Sequence, residues 1–319
     1  MKVKVLTSQS FLDNLRKKFD NKKSSHLDLR RFRNFQSVFG KDNYGFILAG
    51  DLQTELRTGK KAPVYSFNSE LYPVSTKEKS VKSQLFLPSA FSTDFDRFPS
   101  TSEVEEILDY LEFHQSKKNI MHMVNSKRGS ISEDKISSTY LADLGINTIP
   151  TYNFGKFSDL QNFLKKREGD YVFKHRFGER GENCFLINSN NIEFLNNLNI
   201  EDYVLQDKID IISEKRLIHL DGMLIGSRKI TPNTPWQNKE NRTSLKNGTI
   251  YKPTIQEIEE TQKIMNFFDA ELGCVDWVEV KNKGRFYLEY NGIGTSYDKC
   301  PSPINLTKLV AEKLKNKYL

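Results

Sequence analysis

The spacing of apolar residues changes along the chain and predicts strands first, then helices, then strands again. Short apolar runs at 3–6, 45–49 and 84–87 are separated by polar stretches and predict strands of a small α/β unit. The rest of the first hundred residues, including the Phe-rich basic stretch from Leu29 to Phe39, has no clear period. No element is predicted there.

A period of about 3.6 residues predicts three helices in the next segment. The first begins with a capping box at Ser102, and its apolar stripe is Val104, Ile107, Leu108 and Leu111. A strand at 119–124 leads to the second helix, which Ser132 caps and Gly145 ends. Its apolar face is Ile136, Tyr140, Leu141 and Leu144. The third helix begins at Ser158, with Leu160, Phe163 and Leu164 on its apolar face.

After residue 170 the period becomes two, which predicts β-structure. The predicted strands are 171–174, 184–188, 203–206, 216–220, 223–230, 274–280 and 285–290. Asp221-Gly222 between two of them favours a type I′ hairpin turn. Two further helices are predicted at 255–271 and 306–319. This mixture of elements predicts an α/β (α+β) protein.

The composition is that of a soluble protein with more than one domain. A chain of 319 residues allows two or three packed units. No segment has the roughly 20 apolar residues that span a bilayer, and the N-terminus lacks the apolar core of a secretory signal. The three cysteines are far apart and lack metal-finger spacing. We therefore expect a cytoplasmic location, without disulfides, a zinc site or a membrane segment.

The net charge of +7 raises the question of a nucleic-acid partner. Basic surfaces attract phosphates, but the lysines are scattered and no block of five or six like charges occurs. The charge therefore gives little support to nucleic-acid binding.

The last predicted hairpin carries two acidic residues and an amide. If a short turn pairs position 280 with 285, Asp276 faces Glu289, and Asn291 lies on the same face because side chains alternate. Opposed carboxylates repel each other, so a positive charge is expected between them. Two carboxylates and an amide oxygen are ligands that suit Mg²⁺. A solvated strand face, or a pair sharing one proton, is the alternative.

A glycine-containing segment between two predicted strands is a candidate phosphate loop. Gly178 and Gly181 would let backbone N–H groups approach a phosphate, and Lys174 supplies a charge at the strand end. It is not a Walker loop, because Gly-Lys-Ser/Thr is absent and a strand follows. An ordinary hairpin loop is the alternative.

A group of cations surrounds the central hairpin: Arg216, Arg228, Lys229, Arg242 and Lys246. Arginine can grip a phosphate or carboxylate with two hydrogen bonds. An ideal Asp221-Gly222 hairpin would place Arg216 and Arg228 on opposite faces, so convergence on one site requires a bulge or twist. Scattered surface cations are the alternative.

The order of these features resembles the ATP-grasp superfamily, most closely its glutathione synthetase and ribosomal-protein glutamate ligase (RimK-like) branch. The resemblance runs from about residue 119 to the C-terminus. It begins with Asn125, Asp134-Lys135, Gly145-Ile146 and Pro150-Thr151, which are similar to the "Asn…Asp-Lys…Gly-Ile…Pro-Thr" passage of the family. The resemblance implies an ATP-grasp fold with an N-terminal domain at 1–120, a central subdomain at 121–205 and a C-terminal subdomain at 206–319. ATP would lie between the last two.

The resemblance also implies a role for each motif residue. Phosphate contacts would come from Lys135, Lys174 and the loop glycines Gly178 and Gly181, although Asn183 stands where another glycine is common. Adenine and ribose would be bound by Gln206, Asp207, Lys208, Glu214 and Arg216. Phosphate and the acyl substrate would contact Arg228, Arg242 and Ser244, the last at a position where the family often has Asn. The family's metal ligands match Asp276, Glu289 and Asn291.

The implied activity is that of an ATP-dependent carboxylate–amine ligase that forms an amide through an acyl phosphate and releases ADP and phosphate. The ion would be Mg²⁺, with Mn²⁺ as an alternative, and the amine an amino acid, peptide or protein. Because related enzymes are often dimers or tetramers, the resemblance also suggests a homo-oligomer. Two other classes stay open, an ATP-grasp kinase and a non-catalytic nucleotide-binding module.

Overall fold

The structure is a computed structural model that describes residues 2–7, 27–67, 73–76, 82–87, 101–125, 134–178, 183–231, 248–292, 300, 302 and 304–319. These residues form seven α-helices and fifteen strands in three sheets. The predicted α/β (α+β) class is therefore confirmed. Within the described part of the chain, no helix is both long and apolar enough to cross a membrane.

The N-terminal sheet consists of β1 (Val3–Thr7), β2 (Tyr44–Leu48), β3 (Val64–Phe67), β4 (Pro73–Thr76), β5 (Ser83–Leu87) and β6 (Ile120–Met123). Its strand order is β4-β3-β2-β1-β5-β6, so β1 lies at the centre. The neighbours β2 and β5 are parallel to β1, and β6 is parallel to β5. Parallel neighbours need long crossovers, which here contain α1 (Leu27–Phe39) and α3 (Thr101–Ser116). A further helix, α2 (Ala49–Thr58), follows β2.

The spacing of apolar residues did not predict two helices of this unit, α1 and α2. In α2 the buried positions include Gln53 and Glu55 beside Leu52, so polar residues interrupt the apolar stripe. Glu55 is held by contacts outside the helix, because it accepts hydrogen bonds from the Ala62 N–H and the Lys61 ammonium, each at 2.8 Å. A partner distant in sequence, the Tyr110 hydroxyl, donates to it at 3.2 Å. The capping box at Ser102 was also wrong, since α3 already begins at Thr101.

The second sheet consists of β7 (Thr151–Tyr152), β8 (Tyr171–His175), β9 (Cys184–Ile187) and β10 (Tyr203–Asp207) in the order β7-β10-β8-β9. It is preceded by α4 (Ser137–Asp143), and α5 (Phe157–Lys165) lies between β7 and β8. Leu160 and Leu164 of α5 are buried in one cluster with Phe173 and Tyr203, whose rings stack at 4.7 Å. In α4, Leu141 is buried as predicted, but Tyr140 is 55% exposed because this helix is short. The proposed cap Ser132 lies outside the described residues.

The third sheet is antiparallel and consists of β11 (Ile211–Leu220), β12 (Met223–Ile230), β13 (Thr249–Ile250), β14 (Leu272–Val280) and β15 (Gly284–Asn291). Its order is β13-β12-β11-β14-β15. The last two helices are α6 (Ile255–Phe267) and α7 (Leu306–Tyr318). Helix α6 ends four residues before the predicted boundary, and Asp269 beyond it has a φ of 52°. The three sheets follow one another along the chain, as the three-unit division expects, but the exact boundaries stay a prediction.

Helix α6 covers one face of the third sheet through buried ion pairs. The Lys215 ammonium lies 2.8 Å from Glu257 Oε1 and 4.8 Å from the centre of the Tyr251 ring. Arg285 also pairs with Glu257, at 3.2 Å, and its guanidinium lies 4.6 Å from the Trp277 ring centre. Neighbouring strand residues point to opposite faces, so this packing leaves the face that carries Arg216 and Asp276 for other partners.

The N-terminal and third sheets share one apolar core. Its members are Val3, Val5 and Leu85 of the first sheet, Leu220 and Leu272 of the third, and Val310 and Leu314 of α7. Asn125, with a φ of 62°, joins the two sheets through its side chain. Its Oδ1 accepts from the N–H groups of Glu271 and Leu272, at 2.8 and 2.9 Å, and its Nδ2 donates to the Leu272 carbonyl at 2.8 Å. The face of the third sheet that carries Arg216 is thereby fixed relative to the N-terminal unit.

We expect Gly273→Ala to destabilise this junction. A Cβ atom at position 273 would lie 2.5 Å from Tyr290 Oη, and the Tyr290 ring is buried and cannot move away freely. The free energy of unfolding should fall by about 1–3 kcal/mol, measured by urea denaturation. Gly50→Ala is the matched control, because its Cβ would meet nothing within 4 Å in helix α2 and should be neutral or stabilising. Equal midpoints for both variants would contradict this account.

We expect His219 to make stability depend on pH. Burial lowers its pKa from 6.5 to about 4, and the Gln262 side chain offsets only part of that effect. The unfolded chain therefore binds a proton that the folded chain rejects, so stability should fall by about 3 kcal/mol as the pH drops from 6.5 to 4. Urea midpoints of the wild type and His219→Leu across this range measure it. The stability of the wild type relative to His219→Leu should fall by about 3 kcal/mol across this range, and a constant difference would argue against it.

Candidate functional site

Four charged side chains lie in one line across the third sheet, which we refer to as the charged row. Arg228 of β12 is opposite Arg216 of β11, Arg216 is opposite Asp276 of β14, and Asp276 is opposite Glu289 of β15. Arg228 and Asp276 are each 1% exposed, and the other two are half-buried. The row therefore places two cations beside two carboxylates in a largely dry environment.

A β-bulge creates the cationic half of the row. The Asp221-Gly222 turn has φ values of 51° and 75° and pairs Leu220 with Met223, as predicted. An extra residue in β12 then shifts the register between Ile218 and His219, so that Arg216 faces Arg228. This bulge is the irregularity that the two arginines needed in order to lie on the same face of the sheet.

A second bulge creates the acidic half. The predicted pairing of 280 with 285 was wrong, because Val280 faces Gly284 and Glu279 faces Arg285. The register shifts by one residue between Trp277 and Asp276, which restores the predicted pair of Asp276 with Glu289. The facing of the two carboxylates is thus confirmed, although the turn that leads to it differs.

Hydrogen bonds neutralise the acidic half of the row. Arg216 grips Asp276 with two nitrogens, one of them, Nε, at 2.6 Å from Oδ1. Asn291 Nδ2 lies 3.1 Å from Asp276 Oδ2 and 3.5 Å from Glu289 Oε1. The amide N–H group occupies the position between the carboxylates where a positive charge was expected. A half-turn of this amide would present its oxygen instead, so two carboxylates and one amide oxygen fit a hard cation such as Mg²⁺.

Among the described residues, no group of three or more His, Cys, Asp or Glu side chains is arranged to hold a metal. The predicted set differs from such groups because its third donor is the amide of Asn291. Its assignment as a metal site stays a prediction.

The pKa shifts of the acidic groups identify the cations that act on them. Burial raises the pKa of Asp276, and Arg216 opposes that rise. Burial would also raise the pKa of Glu289, but Lys135, Lys174 and Arg216 together lower it below its usual value. Burial and the charge of Asp276 raise the pKa of the neighbouring Glu214 to about 7. The two lysines, which precede α4 and lie in β8, therefore act electrostatically on the charged row.

The guanidinium of Arg228 has no hydrogen-bond acceptor in the described part of the chain. All three of its nitrogens are buried and unsatisfied. Burial lowers the pKa of Arg228, and the like charge of Arg216 lowers it further. A buried charge without a partner is costly, so this arrangement favours an anionic ligand at Arg228.

The predicted phosphate-binding residues lie next to one another. Lys174 of β8 is buried, and the Lys135 ammonium donates to the carbonyl oxygens of Arg176, at 3.1 Å, and Gly178. Gly178 therefore lies at the base of the candidate loop beside Lys135. The rest of that loop, including Gly181, lies outside the described residues, as do Arg242, Ser244 and Lys246.

Two N–H groups of the backbone predicted to bind adenine already donate hydrogen bonds within the protein. The N–H of Asp207 donates to the Pro150 carbonyl at 3.1 Å, and the N–H of Lys208 donates to the Asp170 carbonyl at 3.4 Å. An adenine edge at residues 207 and 208 would therefore meet carbonyl oxygens rather than these two donors. The Gln206 side chain is buried and donates to Thr151 Oγ1 at 2.8 Å, so it supports the strand from within.

Sequence reasoning gave no role to Asp134 and Arg176, which form an ion pair beside Lys135. Asp134 belongs to the Asp-Lys motif, and Arg176 follows Lys174 by two residues, so both were visible only as motif neighbours. Their pairing depends on a contact between residues 42 positions apart.

No protein-family model and no curated protein matches this sequence. Three solved structures are similar in fold. A RiPP-associated ATP-grasp ligase of Chryseobacterium gregarium, in complex with ADP and a leader and core peptide, has a TM-score of 0.61 at 14% identity, covering 99% of this chain and 97% of that one. D-cycloserine synthetase DcsG has a TM-score of 0.60 at 12% identity, covering 98% and 100%. The ATP-grasp ligase PsnB, complexed with a minimal precursor, Mg and ADP, has a TM-score of 0.55 at 10% identity, covering 99% and 97%. At these identities the likeness shows the fold, which is the ATP-grasp fold.

We expect the two arginines of the charged row to have opposite effects on stability. Arg228→Met removes an unpaired buried charge, so the free energy of unfolding without ligand should stay the same or rise by up to about 4 kcal/mol. Arg216→Met leaves the buried Asp276 without its partner and should cost about 3–5 kcal/mol. Thermal and urea unfolding of the two variants measure this difference. A large loss of stability in Arg228→Met would show that its guanidinium is paired.

Proposed function

We propose that this chain, which has the ATP-grasp fold, is an ATP-dependent carboxylate–amine ligase. The terminal phosphoryl group of ATP passes to a carboxylate, and an amine then attacks the acyl phosphate, giving an amide, ADP and phosphate. The observation that carries the proposal is the charged row, with the unpaired guanidinium of Arg228 buried in it and Lys135 and Lys174 acting on it. Such a site stabilises a group that carries several negative charges.

The protein contributes position and charge rather than a nucleophile. Lys135 and Lys174 bind the phosphates as point charges. Arg228 stabilises the negative charge of the transferred group, and its burial strengthens that interaction. Arg242 and Ser244 are proposed for the same end of the site on the basis of the family resemblance alone. Gly178 lies at the base of the phosphate loop, where its own N–H is held by the His175 carbonyl, and we propose that the loop that includes Gly181 brings backbone N–H groups to the phosphates.

The nucleotide base and sugar lie on the strands beside the row. The backbone of Gln206, Asp207 and Lys208 binds the adenine edge at the end of β10. Glu214 lies two residues from Arg216 on the same face of β11, and we propose that it binds the ribose hydroxyls.

Asp276, Glu289 and Asn291 would hold the divalent ion, Mg²⁺ with Mn²⁺ as an alternative. When bound, such an ion would neutralise negative charge on the phosphates. Carboxylate and amide oxygens are the hard ligands that this ion prefers. Arg216 keeps Asp276 ionised and fixed in direction through its two hydrogen bonds.

The substrates are a carboxylate and an amine, at least one of them in a peptide or protein. Two of the similar structures contain peptides, a leader and core peptide in one and a minimal precursor in the other. A single amino acid as acceptor is the alternative, and the similar fold of D-cycloserine synthetase supports keeping it in the test. We place the reaction in the cytoplasm, where Cys184, Cys274 and Cys300 stay free thiols.

The test measures ADP and phosphate release from ATP and Mg²⁺ in the presence of amino acids and a pool of synthetic acidic peptides. Glu289→Gln should lower turnover on the order of 10²-fold, because it removes a charged ligand. Glu106→Gln is the control, since Glu106 forms an exposed ion pair with Arg57 in the N-terminal unit and should retain full activity.

Two outcomes would contradict the ligase, and a third would contradict the metal site. ADP without free phosphate would indicate a kinase, and nucleotide binding without turnover would indicate a binding module. Full activity of Glu289→Gln would remove the metal assignment.

A further inference from the structure

The base of the candidate phosphate loop consists of three consecutive residues, Arg176, Phe177 and Gly178, that directly follow β8. Each of them is fixed to a different part of the molecule. The backbone N–H of Arg176 donates to the Asp202 carbonyl at 2.9 Å, and that of Gly178 donates to the His175 carbonyl at 3.1 Å. These bonds hold the segment in a turn at the end of the strand.

The side chain of Arg176 is paired with Asp134. Its Nε lies 3.0 Å from both carboxylate oxygens of Asp134, and Nη2 makes a further short contact. The Asp134 side chain is 4% exposed and that of Arg176 is 16% exposed, so water screens the pair only weakly. Asp134 Oδ1 also accepts from the Ile136 N–H at 3.1 Å, which ties the pair to the start of α4.

Lys135 directly follows Asp134 in the chain and contacts the segment that carries Arg176. Its backbone N–H donates to the Arg176 carbonyl at 3.2 Å, and its ammonium donates to the carbonyls of Arg176 and Gly178. An ammonium group has three donors, so these two bonds leave one N–H for another acceptor.

Phe177 provides a second anchor on another part of the fold. It is 5% exposed and belongs to the same buried apolar cluster as Leu6, Ile47 and Phe86 of the N-terminal sheet. The carbonyl oxygens on either side of Phe177 are those that hold the Lys135 ammonium. The loop base is thereby fixed between α4 and the N-terminal sheet.

We propose that Arg176, through its ion pair with Asp134, is a positioning residue that aims Lys135 at the terminal phosphates of the nucleotide. The guanidinium fixes the segment whose carbonyls hold two of the three ammonium donors, so the third points in a defined direction. Phe177 fixes the position of this segment relative to the N-terminal sheet, because its side chain is buried in the apolar cluster of that sheet. The inference rests on the proposed function, because it assumes that a nucleotide binds between Lys135 and the charged row.

The test is a double-mutant cycle on ADP affinity in the presence of Mg²⁺, measured by isothermal titration calorimetry. Arg176→Gln and Lys135→Gln should each weaken ADP binding on the order of tenfold, because a misdirected ammonium loses most of its contact. If Arg176 acts through Lys135, the double variant should bind ADP no more weakly than Lys135→Gln alone. Arg176→Lys keeps the charge but loses the two-pronged grip, so its affinity should fall between the wild type and Arg176→Gln.

The matched control is Arg57→Gln, which breaks an exposed ion pair with Glu106 in the N-terminal unit and should not change ADP affinity. Thermal unfolding of every variant without ligand separates a folding defect from a binding defect. Additive losses in the double variant, or a lower unfolding temperature of Arg176→Gln with unchanged ADP affinity, would overturn the positioning role. A wild-type protein that binds no ADP would instead overturn the proposed function.

Discussion

The structure depends on keeping four charges buried side by side in one β-sheet. The observed order places like charges opposite each other at both ends of the row, Arg228 with Arg216 and Asp276 with Glu289, and opposed like charges repel. The bidentate contact of Arg216 with Asp276 joins the two halves of the row, and Asn291 bridges the two carboxylates. Only Arg228 is left without an acceptor among the described residues. The carboxylates at one end of the row are thus bound by protein groups, and the guanidinium of Arg228 at the other end can bind an anion.

Packing and hydrogen bonds from the rest of the fold fix the position of this sheet. One face is covered by α6, through Lys215, Arg285 and the buried Glu257, and the strands begin at a junction that Asn125 ties to the N-terminal sheet. The shared apolar core with α7 makes the first and third sheets one packed unit. Lys174 in the second sheet and Lys135 just before α4 both lower the pKa of Glu289 in the row. Phe177 connects the loop base after β8 to the N-terminal core. The charged groups of the proposed site and the contacts that fix their positions therefore come from separate parts of the chain.

Two β-bulges lie beside the proposed site. One bulge in β12 and another in β15 rotate the strands so that four side chains share one line. Bulges interrupt the ladder and lose pairing, so they persist where the neighbouring packing supports them. In this sheet the apolar contacts of Trp277 and Tyr287 on the opposite face provide that support.

The sequence by itself determined the elements whose pattern is local. Alternation predicted the strands of the second and third sheets except the two-residue strands β7 and β13, and the same alternation put Asp276, Glu289 and Asn291 on one face. It could not determine α2, whose stripe contains Gln53 and Glu55, because the partners of Glu55 lie outside this helix, one of them, Tyr110, in α3. Nor could it locate the bulges, the partner of Arg176 or the isolation of Arg228. Those features were decided by tertiary structure, because register shifts and buried charges are stabilised by contacts between distant segments, which no local period records.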